Sequence, residues 1–416
     1  MTQKRKWFTD EEYMQGLGLA QLLPGAALIN FSSYLGFRLR GLPGAATATV
    51  FFLVPCFLLM LLLSHLYFRY GNIPIVHSLF HGLGALVFGL IFNTMIDLWR
   101  LCLKTFYSLL MALTGFAMVF CFKMGIVKIL LIAGTASVLQ VFLTSRFPAL
   151  SRWTEIRSNS ADDKFQQTVN AGKVTSGIDK NNRFVRLLMN LFRTRTFQTQ
   201  DAQASDHISA CSQVDLSLHW HKIALLVFWL VVILAADLIL IQQRPELVQM
   251  SYKFLQIGAC TFGGGYVMLP FIQDAVVNQF GWLTNPQFAA ALALSLVTPG
   301  PVTVIGTFIG YKVAGVTGAL AGMVNMYYPA WALTTLLTTP YARAGRLGYV
   351  KRMISGIVAA FIGTLAVVLI NLASDTLVDI PAMAMASGAF ITQRYMKIDT
   401  VWIVTAGTLV SIAVFH

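Results

Sequence analysis

Residues 282–319 read WLTNPQFAAALALSLVTPGPVTVIGTFIGYKVAGVTGA, and residues 7–45 read WFTDEEYMQGLGLAQLLPGAALINFSSYLGFRLRGLPGA. Set side by side, Trp7, Thr9 and Tyr13 fall on Trp282, Thr284 and Phe288 at an offset of 275, as does Pro24-Gly25 on Pro299-Gly300. After a slip of one residue the offset becomes 274. Gly36-Phe37-Arg38, Gly41 and Gly44-Ala45 then fall on Gly310-Tyr311-Lys312, Gly315 and Gly318-Ala319. The register holds through Pro55 with Pro329, Phe57 with Trp331, and Gly82, Ala85 and Gly89 with Gly356, Ala359 and Gly363. Glycine and proline stand where backbone geometry demands them, so their return in this order over about eighty residues marks two copies of one structural unit.

The medium in which the unit folds follows from composition. The chain is 416 residues long, 56% hydrophobic and only 11% charged, against about 25% charged in soluble domains. Apolar runs near 14–35, 44–68, 78–98, 101–121 and 124–144 are followed by others near 222–241, 250–275, 286–309, 314–338, 352–371, 379–393 and 398–416. Most approach the roughly 20 residues that cross about 30 Å of hydrocarbon as helix. The expected fold is an all-α polytopic membrane protein of about 12 transmembrane helices in two homologous halves. Residues 1–145 form the N-terminal repeat, 146–220 a basic, polar linker and 221–416 the C-terminal repeat. The linker is too polar to bury a core of its own. Its stretch RFVRLLMNLFRTR at 183–195 suits either solvent or the anionic surface of the inner leaflet.

The net charge of +13 does not argue for nucleic acid, because the basic excess lies in loops and linker, as the positive-inside rule requires of a plasma-membrane protein. The five cysteines show no metal or disulfide spacing, and Met1–Lys6 leads into acidic residues and not into the apolar stretch of a signal peptide. With the linker in the cytoplasm, the two repeat starts are separated by seven predicted crossings, which inverts one repeat relative to the other. That choice places Arg343, Arg346, Lys351 and Arg352 inside and Lys312 outside, and it strands Lys4-Arg5-Lys6 outside, against the rule.

Both Pro-Gly pairs lie within apolar segments, where a helix must break. Broken backbone at membrane depth is tolerated only against protein or a wet cavity, and a helix restarting there turns free N–H groups and a positive dipole end toward that cavity. Pro24, Gly25, Thr298, Pro299, Gly300 and Pro301 are therefore candidate anion-binding positions; the alternative is a packing kink. Gly263, Gly264 and Gly265 form a second glycine run suited to an anion nest or to close helix packing. Gln21 and Asn30 offer neutral polar groups to the same site. Arg38, Arg40 and Lys312, in two basic loops, would draw anions to the pathway mouths or simply snorkel. Asp237 lies within the sixth apolar run and Asp97 near the end of the third; an intramembrane acid is functional by default, the alternative for Asp237 being a place near an interface. No Walker loop, metal-ligand cluster or hydrolase motif is present, so neither an enzyme nor a cofactor is expected.

The motif order resembles the chromate ion transporter family in its long, two-domain form. Trp282-x-Thr284, Pro299-Gly300-Pro301, Gly310-Tyr311-Lys312 through Gly318-Ala319, a helix with a buried proline (Pro329), and Phe262–Gly265 carry the resemblance in the second half. Trp7, Gln21, Pro24-Gly25, Gly36–Ala45 and Pro55 carry it in the first. The match spans roughly 7–95 and 250–370. Ala26 stands where the family has a second proline, and no FGGG-bearing helix precedes Trp7. The resemblance implies chromate efflux, with chromate resistance, across the plasma membrane by alternating access. The alternatives are transport of another oxyanion such as sulfate, or an inactive truncated homologue. Membrane lipids are the expected surroundings, and a homo-oligomer stays open.

Overall fold

The computed structural model describes residues 8, 10–71, 74–103, 105–146, 231, 245–260, 262, 264–344, 348–396 and 398–414. The linker 147–220, the expected span 222–241 with Asp237 (Val231 apart), the Lys4-Arg5-Lys6 cluster and Gly263 lie outside them. Among the described residues the regular structure is helical, without strands. The first half comprises α1 (Asp10–Leu22), α2 (Ala27–Tyr70), α3 (Pro74–Cys102), α4 (Phe106–Phe120) and α5 (Ile126–Arg146). The second comprises α6 (Pro245–Cys260), a 3-10 turn (Gly265–Met268), α7 (Leu269–Gln273), a π-turn (Asp274–Gln279) and α8 (Asn285–Val297). Then come a second 3-10 turn (Val302–Val304), α9 (Ile305–Ala344), α10 (Gly348–Thr376), α11 (Ile380–Ile391) and α12 (Thr400–Val414).

Element boundaries repeat as the glycines do. α1 and α8 begin and end 275 residues apart, α3 and α10 begin and end 274 apart, and α4 and α5 begin 274 before α11 and α12. The Trp-x-Thr motif has a local cause in the second copy. Thr284 caps α8 by accepting from the Gln287 N–H, while the Gln287 side chain accepts from the Thr284 N–H. Such a reciprocal capping box satisfies two otherwise orphaned donors at a helix start.

α2 and α9 are each a hairpin of two antiparallel helices. Ser32 Oγ donates to the Ala48 carbonyl at 3.2 Å, although sixteen residues of straight helix span about 24 Å. The reversal occurs at Arg40 (φ −143, ψ 27) and Gly41 (φ 64, ψ −148), and recurs at Ala314 (φ −145, ψ 26) and Gly315 (φ 65, ψ −144). Only glycine takes such a positive φ without steric penalty. Gly36 abuts Gly44, and Gly310 abuts Gly318, where the arms run closest. The glycine-rich segments read as basic loops are thus helical arms around a two-residue turn, and Arg38 and Lys312 project from helix.

α1 in turn folds back on the first arm of α2 (residues 27–39). The Tyr34 hydroxyl donates to the Glu12 carbonyl at 3.4 Å, Arg38 pairs with the Glu12 carboxylate, and the Tyr13 and Phe31 rings meet at 5.0 Å. The 13 residues of α1 rise only about 20 Å, less than the hydrocarbon thickness. The stretch 14–35 is therefore two half-length helices around the Pro-Gly break, and the count of seven crossings does not carry over. Among the described residues, Gly82–Arg100 and Ile354–Thr376 are single helices long and apolar enough to cross, whereas the apolar stretches Ala27–Tyr70 and Val302–Thr338 each contain a hairpin turn.

Chain directions follow from contacts between the halves. Along residues 42–70 of α2, Cys56 lies against Pro299, while Phe68 lies 4.8 Å from the Phe308 ring and 6.0 Å from Tyr311. Both sequences rise together, so this arm runs parallel to 299–312 and antiparallel to residues 316–344. On the other side, Gly25 abuts Ala330, and Leu35 and Leu337 pack on the same cluster, giving the reciprocal result. Equivalent arms of the two halves run in opposite directions. The deeper packing is also exchanged: Gly89 of α3 rests on the Ala386 carbonyl of α11, and Gly363 of α10 on the Ala112 carbonyl of α4. Each half thus completes the other's core.

The turn glycines give a direct test. An added Cβ at Gly41 or Gly315 meets nothing within 4 Å, so Gly41→Ala or Gly315→Ala should destabilise by backbone strain alone, about 1–3 kcal/mol. The thermal midpoint of the detergent-purified protein should fall for either. Gly18→Ala in α1, also in open space but without positive φ, should leave it unchanged or slightly raised. Equal midpoints for all three would remove the hairpin turns.

Candidate functional site: two broken hairpins against opposite long helices

In the first hairpin, α1 ends at Leu22, and Leu23-Pro24-Gly25-Ala26 leads into α2, whose N-cap Ala26 offers no side-chain bond. The apex is buried and Gly25 has φ 101. Asn30, fully buried, turns its amide back across the break and donates to the carbonyls of Ala20 (3.3 Å), Leu23 (3.4 Å) and Pro24 (3.0 Å). Its Nδ2 is therefore committed to closing the C-terminal end of α1. Its Oδ1 has no partner. Gln21 is half-buried in the last turn of α1.

The second apex has the same backbone plan and different chemistry. Thr298 ends α8 and its hydroxyl donates to the Ser295 carbonyl at 2.9 Å. After Pro299-Gly300-Pro301 the 3-10 turn starts with no side-chain cap, and Thr303 donates to the Tyr327 hydroxyl at 2.8 Å, both residues being buried. At 274 residues' offset Val304 stands where the first half has Asn30, so nothing equivalent crosses this break. The glycine run comes to this apex. Gly264 has φ 104 and ψ 179, and a Cβ at Gly265 would sit 3.9 Å from the Val302 N and 4.0 Å from the Thr303 N. The helix start of the second hairpin and the break after α6 therefore share one wall, with glycine where a side chain would cover the N–H groups.

Each apex presses on the other half's long helix at an equivalent place. A Cβ on Gly25 would collide with Ala330, and one on Gly300 would lie 2.5 Å from Cys56 Sγ. Cys56 also donates to the Pro299 carbonyl. Residues 56 and 330 are a repeat pair, each following a proline of the shared register. Of those prolines, Pro329 is buried as the family pattern leads one to expect, but Pro55 is exposed on the outer face.

The basic residues are placed unequally. Arg38 is neutralised by Glu12, whereas Lys312 lies 5.2 Å over the Phe68 ring beside a His65–Tyr311 hydrogen bond of 2.7 Å. Arg40 is exposed at the hairpin turn. Asp97 is bonded to Arg394 at the exposed end of α3. The structure therefore gathers Gly264, Gly265 and Pro299–Thr303 at one apex and Pro24, Gly25, Asn30 and Gln21 at the other. Glu12, Cys56, Tyr327 and Ala330 were missed by sequence reasoning. For Cys56 and Ala330 the shared register was a usable signal; for Glu12 and Tyr327 there was none.

The profile of the chromate transporter family matches residues 1–138 and 248–412. The chain belongs to the chromate transporter family. Among similar proteins, the chromate transport protein of Cupriavidus metallidurans is 27% identical over all of this chain and 86% of its own length. The probable chromate transport protein of Synechococcus elongatus is 28% identical over 94% of this chain and 82% of its own. The chromate transport protein of Pseudomonas aeruginosa is 24% identical over all of this chain and 86% of its own. No solved structure matches. This transporter-family chain is accordingly a membrane protein of two homologous halves.

The apex contact can be tested by compensation. Gly300→Ala should lower the thermal midpoint and the folded yield, because the new methyl meets Cys56 Sγ. Cys56→Ala in the same chain should recover part of the loss, since the remaining Cβ lies 3.2 Å away. A double variant no better than the single one would place the second apex elsewhere.

Proposed function

We propose that this protein exports chromate from the cytoplasm across the inner (plasma) membrane as a secondary transporter working by alternating access. The observation that carries the reading is the pair of broken hairpins, one per half, whose apexes press on opposite long helices of antiparallel sense. An anion in hydrocarbon must exchange its water for fixed donors. A tetrahedral dianion fits the second apex, where the uncapped start of the helix after Pro301 faces Gly264 and Gly265. Each helix start carries about half a positive charge. The hydroxyls of Thr298 and Thr303 lie beside the same start. Lys312 attracts anions to one mouth and Arg40 to the other, with Arg38 tied to Glu12 until the hairpin moves.

The exchanged contacts support alternating access. With the halves inverted in the bilayer, seating of the first apex on Ala330 and of the second on Cys56 are mirror events on opposite faces. Rocking one half against the other tightens one seat while loosening its counterpart, which opens one mouth at a time. Chromate is favoured by the names of the related proteins. Sulfate, of the same shape and charge, is the second reading.

Radiolabelled chromate uptake into everted membrane vesicles, with sulfate as competitor, tests this directly. Protein-dependent uptake is expected, and equal affinity for sulfate would transfer the reading to oxyanions in general. Gly264→Val forces a β-branched residue to a φ of 104. It should reduce uptake below about a tenth of the parent through misplacement of the apex, with membrane insertion retained. Unchanged uptake in Gly264→Val would remove the second apex from the pathway.

A further inference from the structure

Two fully buried polar atoms in the first hairpin have no partner: Asn30 Oδ1 and Ser33 Oγ. They stand one helical turn apart, on one face of the arm 27–39. Serine and threonine in apolar helices ordinarily satisfy the hydroxyl on their own backbone, as Ser64 does on Met60 and Ser137 on Ala133. Ser33 does not. Leaving a buried acceptor unmade costs about 1–3 kcal/mol, so two together ask for a ligand.

The chemistry of that ligand is set by the atoms. Both Asn30 hydrogens are held by the carbonyls of Ala20, Leu23 and Pro24, so for a ligand the amide has only its oxygen left. It lies 3.6 Å from where a Gly25 Cβ would stand. The C-terminal end of α1 and the uncapped start of α2 meet at the same place, where their opposite partial charges offset each other and leave the side-chain oxygens to decide the ligand. An anion finds no donor from the amide here. A proton finds no carboxylate, because Asp10, Glu11 and Glu12 all lie in the first turn of α1, at the hairpin's open end.

We propose that the apex of the first hairpin binds a monovalent alkali cation through Asn30 Oδ1 and Ser33 Oγ, beside the Leu23–Ala26 break. This rests on the transporter reading above and divides its labour: the second apex takes the anion and the first takes the cation. The second half has lost the amide, with Val304 in its place, while Thr307 keeps the hydroxyl, also buried and unpartnered. A cation under Gly25 braces the apex against Ala330. Its arrival and departure therefore act on the inter-half seat opposite the one at Cys56 and Pro299.

The test uses the purified full-length protein in sodium, lithium, potassium or choline chloride at equal ionic strength. A saturable rise in thermal midpoint with at least one alkali cation, absent in choline, is expected. Ser33→Ala, which leaves the Asn30 bonds intact, should raise the half-saturating concentration by about tenfold, the loss of one charge-assisted contact. Thr307→Ala should leave that concentration unchanged. No cation-dependent rise, as for a site filled by water alone, overturns the proposal, and so does a response indifferent to Ser33→Ala. The readout needs no chromate. Chromate exchange in vesicles that proceeds equally in choline would sink the cation site while sparing the transporter reading. A Ser33-dependent cation shift without chromate flux would support the site and sink the substrate.

Discussion

Hydrocarbon offers no hydrogen-bond partners, so every break in a helix at membrane depth must be closed by the protein itself. Leu23–Ala26 and Thr298–Pro301 are two such breaks, and the surrounding structure can be read as the means of closing them. Asn30 donates three times across the first. Cys56 from the opposite half reaches the Pro299 carbonyl of the second. The first half closes its own break and the second depends on the first for part of its closure, while each apex is seated on the other half's long helix. The exchanged seats of Gly89 on Ala386 and Gly363 on Ala112 extend the same interdependence through the core.

The repeat, the membrane setting and the position of both breaks were legible in the sequence, because glycine and proline report local backbone demands. What the chain does after a break was not. Pro24-Gly25 says that α1 stops, but the reversal of direction depends on Tyr34, Arg38 and Asn30 meeting residues 10 to 26 positions away. The spacing of Gly36 and Gly44 is a trace of the second reversal, yet it reads equally well as one continuous helix with a small-residue stripe. The arms are helical on either side of Arg40-Gly41, so hydropathy alone extends straight through the turn.

The candidate site was legible in the same uneven way. Pro-Gly and the glycine run announced flexible backbone, and the structure brings Gly265 within reach of Val302 and Thr303. Side-chain roles were harder. Asn30 looked like a neutral polar group for a ligand, but its hydrogens face inward, onto the carbonyls of Ala20, Leu23 and Pro24. Arg38 looked like a free cation, but Glu12 holds it. In both cases the deciding partner comes from the facing helix, and no local pattern encodes which residue that will be.

The two halves share a backbone and differ in the atoms placed on it, and this difference is what makes a transporter of them. Were the apexes chemically identical, the two seated states would be equal in energy and a ligand would bind both alike, shifting no population. Asn30 against Val304, Leu23 against Thr298, Leu53 against Tyr327, and Ala330 against Cys56 break that equality position by position. Both apexes hold an uncapped helix start, but only the first adds an unpartnered amide oxygen to it, and only the second is walled by a glycine run. In the proposed mechanism, ligands of opposite charge would bias the same rocking motion from its two ends. Under that mechanism, duplication would supply two nearly degenerate conformations, and divergence at these few buried positions would supply the differential affinity by which a bound ion chooses between them.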